Sequence, residues 1–136
     1  MKRIFLGVLA MMMLVMTGCG GGSVEVVVPI EPAIYPPSIT SYQYSKDTVR
    51  EFVNGSINFN APDSDIDSMT VVVFDSRGYE IARTRATLNL PGVSQGTVLF
   101  SIDYVTYPAD KFTFSIYLTD FNGYTSNQVV DTFWVP

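Results

Sequence analysis

From Ser38 onward apolar and polar residues alternate with a period of two, and no window carries the 3.6-residue spacing of an amphipathic helix. Successive side chains of a strand point to opposite faces, so this alternation gives each strand an inner and an outer side. The clearest case places Phe112, Phe114, Ile116 and Leu118 on one face and Thr113, Ser115, Tyr117 and Thr119 on the other. Val98, Phe100 and Ile102 repeat the pattern, as do Val53, Ile57 and Phe59. Turn formers punctuate the runs: Ser76-Arg77-Gly78, Pro91-Gly92 and Phe121-Asn122-Gly123. The predicted strands are 38–45, 52–59, 69–75, 79–85, 97–103, 111–119 and 127–135. Strands of this number and spacing predict an all-β domain of two antiparallel sheets. Its core is expected to contain Ile57, Phe59, Val71, Val73, Val98, Phe100, Ile102, Phe112, Phe114, Ile116, Leu118 and Phe133.

The first residues follow a different pattern. Lys2 and Arg3 precede an apolar run from Ile4 to Met16, shorter than the roughly 20 residues a membrane-spanning helix needs, and this reads as a signal peptide. The run ends in Met16-Thr17-Gly18-Cys19, which resembles the lipobox of bacterial lipoproteins, with Met16 where leucine is usual. The resemblance implies that residues 1–18 are removed and that Cys19 carries the lipid and becomes the mature N-terminus. It also implies membrane attachment through acyl chains rather than a spanning helix. Gly20, rather than aspartate, after the cysteine implies the outer membrane, or the cell surface in a single-membraned cell. Residues 19–37 read as the lipidated end and a tether, flexible at Gly20-Gly21-Gly22-Ser23 and stiffened by Pro29, Pro32, Pro36 and Pro37. Within it, Val24 to Val28 has strong strand propensity, and pairing with a sheet edge is the alternative to a free tether. The folded domain is expected over 38–136.

Composition narrows the chemistry. The chain of 136 residues is 47% hydrophobic and 15% charged, so it folds rather than staying disordered. It contains no histidine and a single cysteine, which removes Ser-His-Asp and Cys-His catalysis, His-ligated zinc or haem, cysteine-ligated clusters and any internal disulfide. A net charge of −5 with only 8 Lys and Arg argues against a nucleic-acid partner.

The segment Lys111 to Asp120, followed by Asn122-Gly123 and Thr125-Ser126, resembles the F strand and F–G turn of bacterial extracellular immunoglobulin-like modules of the PKD, cadherin-like and fibronectin type III kind. Pro62-Asp63-Ser64-Asp65 ahead of Met69 to Val73 resembles their acidic B–C turn. The resemblance covers about residues 38–136 and implies a seven-stranded antiparallel immunoglobulin-like β-sandwich serving adhesion, spacing or ligand presentation. The disulfide pair and central tryptophan of antibody domains are missing from the sequence.

Three constellations bear on function. Asp63, Asp65 and Asp67 alternate like the opening of a calcium loop, although Ser68 and Phe74 stand where an EF-hand needs Gly and Glu. In a sandwich of this kind Asp120 and Asn122 fall at the same pole, so these five residues form a candidate calcium site, with local turn formation as the plainer alternative. No cofactor is required. The second constellation is an outward apolar set, Val72, Phe74, Tyr117, Val130 and Trp134, which would form a binding patch unless neighbouring chains cover it. The third is a glycosidase-like carboxylate pair, for which short loops leave little cleft. The expected protein is a non-catalytic, lipid-anchored envelope protein whose domain serves surface structure, adhesion or partner binding. The alternatives are a carbohydrate-binding module using the aromatic face, or an accessory subunit of an envelope assembly. Its partners are then the membrane and an envelope protein or polysaccharide.

Overall fold

The computed structural model describes residues 34–136 throughout and, before them, the backbone of two strands, β1 (Leu14–Thr17) and β2 (Val24–Val27). The chain divides into a first unit, Met1–Ile34, and a second, Tyr35–Pro136. In the first unit β1 and β2 pair antiparallel, with Leu14 opposite Val27, so the strand propensity of Val24 to Val28 is used there. Cys19 lies outside the described residues.

The second unit is a sandwich of seven antiparallel strands: β3 (Ser38–Asp47), β4 (Phe52–Asn60), β5 (Asp65–Phe74), β6 (Glu80–Pro91), β7 (Gln95–Asp103), β8 (Asp110–Asp120) and β9 (Val129–Val135). One sheet has the order β3-β4-β7 and the other β6-β5-β8-β9, the layout of an immunoglobulin-like sandwich. Every predicted strand is present. Two boundaries differ in ways that matter. The strand predicted at 69–75 begins at Asp65, because its pairing continues past an irregularity at Ile66/Ser68, where β5 carries the extra residue against β8 and β6 carries it against β5. The strand predicted at 79–85 runs to Pro91, so Pro91 ends a strand instead of lying in the following turn.

The core follows from the alternation. Phe112, Phe114, Ile116 and Leu118 are fully buried on β8, facing Val53, Ile57, Phe59, Phe100 and Ile102 of the other sheet and flanked by Met69, Val71 and Val73 of β5. Phe114 is central, 5.8 Å from the Phe100 ring centre and 5.1 Å edge-on from Tyr44. Val98 alone of the expected core is only half-buried, although Phe100 and Ile102 of the same edge strand are buried. Gly55 is required by packing: a side chain there would press on the Gln43 carbonyl oxygen and the Phe100 ring. Gly78 and Gly123 adopt positive φ in the β5–β6 and β8–β9 turns, where a side chain would be strained.

Candidate functional site

The acidic residues are mostly committed to holding turns and strands. Asp47 accepts the backbone N–H groups of Val49 and Arg50, Asp103 that of Val105, and Asp75 those of Arg77 and Tyr79. The Tyr79 N–H holds the Asp75 carboxyl below its usual range, with help from Arg77. Asp110 accepts the Ser76 hydroxyl at 2.8 Å, and that bond lowers its pKa. These are the local side-chain-to-backbone bonds that make aspartate a turn former.

The five candidate calcium ligands do not gather into one cage. Asp67 leaves the set because the β5 bulge directs it to Arg85 of β6, with which it forms a 2.9 Å ion pair. Asp63 accepts the Tyr35 backbone N–H at 3.3 Å. Asp65, Asp120 and Asn122 do share a pole: the Phe121 N–H bonds the Asp65 carbonyl, and the Asn122 amide lies 3.5 Å from Asp65 Oδ2. Asp120 is buried with Oδ1 accepting the N–H groups of Asn122 and Tyr124, and its Oδ2 has no hydrogen-bond partner among the described residues. Among the described residues no three carboxylate, His or Cys side chains come together as a metal site.

The outward patch is divided as well. On the outer face of β6-β5-β8-β9, Val72 is 3% exposed, which removes it from any contact surface. The cover is polar. Arg83 on β6 reaches over β5 to the Tyr117 hydroxyl on β8, at 3.4 Å, while both its other nitrogens bond Glu80 at 2.9 Å. Phe74 and Tyr117 are half-buried. Val130 and Trp134 remain, 54% and 62% exposed on β9, and the Lys111 ammonium stands 5.8 Å from the Trp134 ring centre. The outward phase expected for Val130 and Trp134 is therefore observed, but as a small two-residue surface beside a cation.

Sequence reasoning missed the two seams where the sheets' edges meet. At the β3/β9 seam, polar side chains at inward positions tie the sheets together. The Tyr42 and Tyr44 hydroxyls donate to Asp131 at 2.7 and 2.8 Å, and the Tyr44 hydroxyl also lies 2.8 Å from the Thr132 carbonyl. Lys46 donates to the Trp134 carbonyl. The Asn127 amide brackets Ile39, accepting its N–H at 2.8 Å and donating to its carbonyl at 3.1 Å. Burial and then the Asp131 bond push Tyr44 up to about 12, while Tyr42 is raised mainly by its bond to Asp131. The Tyr42 bond in turn holds Asp131 below the usual carboxylate range, against a smaller opposing effect of burial. The available signal was the placement of Tyr42, Tyr44 and Lys46 on one parity of β3 and of Asp131 between Val129 and Phe133.

At the opposite seam the edges of β6 and β7 leave a groove of about 430 Å³. Ala82, Thr84 and Ala86 of β6 line it along with Leu99 to Asp103 of β7 and Tyr107, and Met69, Val71 and Val73 of β5 also border it. Small side chains on the inner parity of β6 fail to fill the width that a Val or Leu would close.

No family model and no curated protein sequence matches the chain. Solved structures do share its fold. OgpA from Akkermansia muciniphila superposes with a TM-score of 0.58 at 18% identity, over 73% of this chain and 27% of OgpA. A second crystal form of that protein gives 0.58 at 16%, over 75% and 29%. A candidate beta-galactosidase from Bacteroides fragilis gives 0.52 at 10%, over 73% of this chain and 17% of that one. The chain thus corresponds to less than a third of each, and the likeness is one of fold.

Proposed function

We propose that this chain is a non-catalytic, lipid-anchored protein of the cell envelope whose immunoglobulin-like sandwich acts as a binding or presenting module. The observation that carries the reading is the commitment of the acidic side chains: Asp47, Asp67, Asp75, Asp103, Asp110 and Asp131 each hold a turn, an arginine or a tyrosine pair. General acid–base chemistry needs carboxylates held toward a substrate across a cleft, and these are spent on the scaffold. Anchoring rests on Cys19 at the end of the apolar run Ile4 to Met16. Processing before Cys19 removes β1 and leaves β2 in the mature chain.

The anchor is tested by mass spectrometry of the mature N-terminus. A diacylglycerol-modified Cys19 is expected, and Cys19→Ser should leave the chain unprocessed or released from membranes. An unmodified N-terminus at any other residue would refute it. A second reading, carbohydrate binding, is favoured by the Trp134 ring, which is 62% exposed beside Lys111. Aromatic rings in such a setting stack on apolar faces of sugars. A glycan array with wild type and Trp134→Ala decides it, since binding that survives the substitution excludes that ring as the platform.

A further inference from the structure

A sandwich of two open sheets has four free strand edges, and each exposes backbone N–H and C=O groups that invite another strand. Three of them are guarded. On β3 the Asn127 amide occupies both backbone groups of Ile39. On β9 the Thr132 and Trp134 carbonyls are taken by Tyr44 and Lys46. The β6 strand carries Arg83 and Arg85, ends at Pro91 and is kinked by two register shifts against β5. Charge, proline and bulges are the usual defences of an edge.

The β7 edge is the least defended, with a single charge, Asp103, at its end. From Gln95 to Ile102 it contains no charge and no proline, and its pairing with β4 is unbroken. Among the described residues the side-chain bonds of this stretch, Thr97 to Asn58 and Ser101 to Asn54, join side chains and do not take up its backbone. Leu99, at the midpoint of β7, is 76% exposed, and Val98 beside it is only half-buried. The groove floored by Ala82, Thr84 and Ala86 runs along this same edge, and Asp103 is its one charged lining residue. A weakly defended edge, a groove bordering it and one acidic end are three features of a single place.

We propose that the β7 edge takes up an extended segment of a partner polypeptide as a fourth strand of the β3-β4-β7 sheet. Its alternate apolar side chains enter the groove over Ala82, Thr84 and Ala86, and a basic residue lies beside Asp103. Backbone bonds along β7 supply affinity, and the groove supplies selectivity, because only every second residue of the segment faces inward. A second copy of this chain fits less well. It brings the same net charge of −5 and the same Asp103, not the basic residue that complements this acidic end. The inference rests on the reading of the domain as a binding module and specifies the surface and the chemistry of its partner.

The probe is a synthetic peptide of about nine residues, matched to the length of β7, with valine and threonine alternating between terminal lysines. The control peptide has the same composition with its valines clustered. Amide hydrogen exchange and NMR shifts are read on the full folded domain. The alternating peptide is expected to slow exchange in Thr97 to Ser101 and to shift the Ala82 and Ala86 methyls, and the clustered peptide to do neither. Ala86→Trp, which fills the groove, should abolish the protection. Asp103→Lys, at an exposed position, should weaken the lysine-ended peptide and strengthen a glutamate-ended one. Protection appearing on β3 or β9, no protection at saturating peptide, or charge variants without effect would each overturn the proposal. The state of Cys19 is read separately, so a failure here leaves the anchoring result interpretable.

Discussion

The two seams of the sandwich use opposite solutions to the same geometric problem. At β3/β9, Tyr42, Tyr44 and Lys46 reach from one sheet to Asp131, Thr132 and Trp134 of the other, and their hydroxyls and ammonium satisfy groups the sheet edges would leave open. At β6/β7 Leu88 and Leu90 pack on the core near one end of β6, but along Ala82, Thr84 and Ala86 the side chains are small and a groove remains. Polar closure supplies directional bonds; apolar closure supplies buried area, and along Ala82, Thr84 and Ala86 it is incomplete. The difference separates a seam that holds the domain together from one that is available to another molecule.

The largest effect should come where the core meets the closed seam. Phe114 is fully buried and touches Tyr44, Phe100 and Phe133, so Phe114→Ala should destabilise by about 3 to 5 kcal/mol in denaturant unfolding. Tyr117→Ala, on the outer face of the same strand, should cost clearly less. Equal losses would mean that the inner and outer faces of β8 are energetically alike, contrary to their burial.

Next in size is Asp131. Asp131→Ala removes the acceptor of both tyrosines and should cost about 1 to 3 kcal/mol, since it strands the half-buried Tyr44 hydroxyl with a single remaining partner, the Thr132 carbonyl. A change within experimental error would show that the seam is held by ring packing alone.

That seam should also be the acid-sensitive one. Asp131 has a folded pKa below its unfolded value, so its contribution is fully present above the unfolded pKa of about 4 and is lost as pH falls through the folded value. Tyr42→Phe removes the bond that lowers it most, and should cost about 0.5 to 1 kcal/mol at neutral pH, discounted because Tyr42 is 39% exposed. The gap between wild type and variant should narrow below about pH 4, when Asp131 is protonated in both. A gap of the same size at pH 7 and pH 3 would show that the carboxylate charge has no part in it.

How far the sequence announced this arrangement depends on which interaction decides each position. Phe112 to Leu118 could be placed because burial rewards one face of a strand at every second residue, and period two is written directly in the chain. The start of β5 was not legible, since the bulge at Ile66/Ser68 makes Asp65 and Asp67 strand residues although their composition is that of a turn. The same bulge separates Asp67 from the other acids, so an alternation that looks like a metal loop resolves into an ion pair with Arg85. Val72 has the outward parity expected of it, yet lies under the Arg83–Tyr117 bridge, a contact between strands that no local spacing encodes. The closed seam depended on residues about 88 apart in the chain, as between Ile39 and Asn127, and such pairs are invisible until the topology is known.

The smallest expected effect tests whether the open seam has room to spare. Adding methyl groups to a filled interior forces rotamers and backbone to shift and typically costs about 1 to 3 kcal/mol, whereas adding them into a groove costs little and buries a little apolar surface. Ala86 is half-buried and borders the groove, so Ala86→Val should change stability by less than about 0.5 kcal/mol, with β propensity favouring the variant. Gly55→Ala offers the opposing case, since its new methyl group meets the Gln43 carbonyl oxygen and the Phe100 ring, and it should fall in the overpacking range. Measured side by side by thermal unfolding, the two substitutions separate free space from filled space within one sandwich. A loss at Ala86 as large as that at Gly55 would mean that the β6/β7 groove closes in solution, and the contrast between the seams would fail.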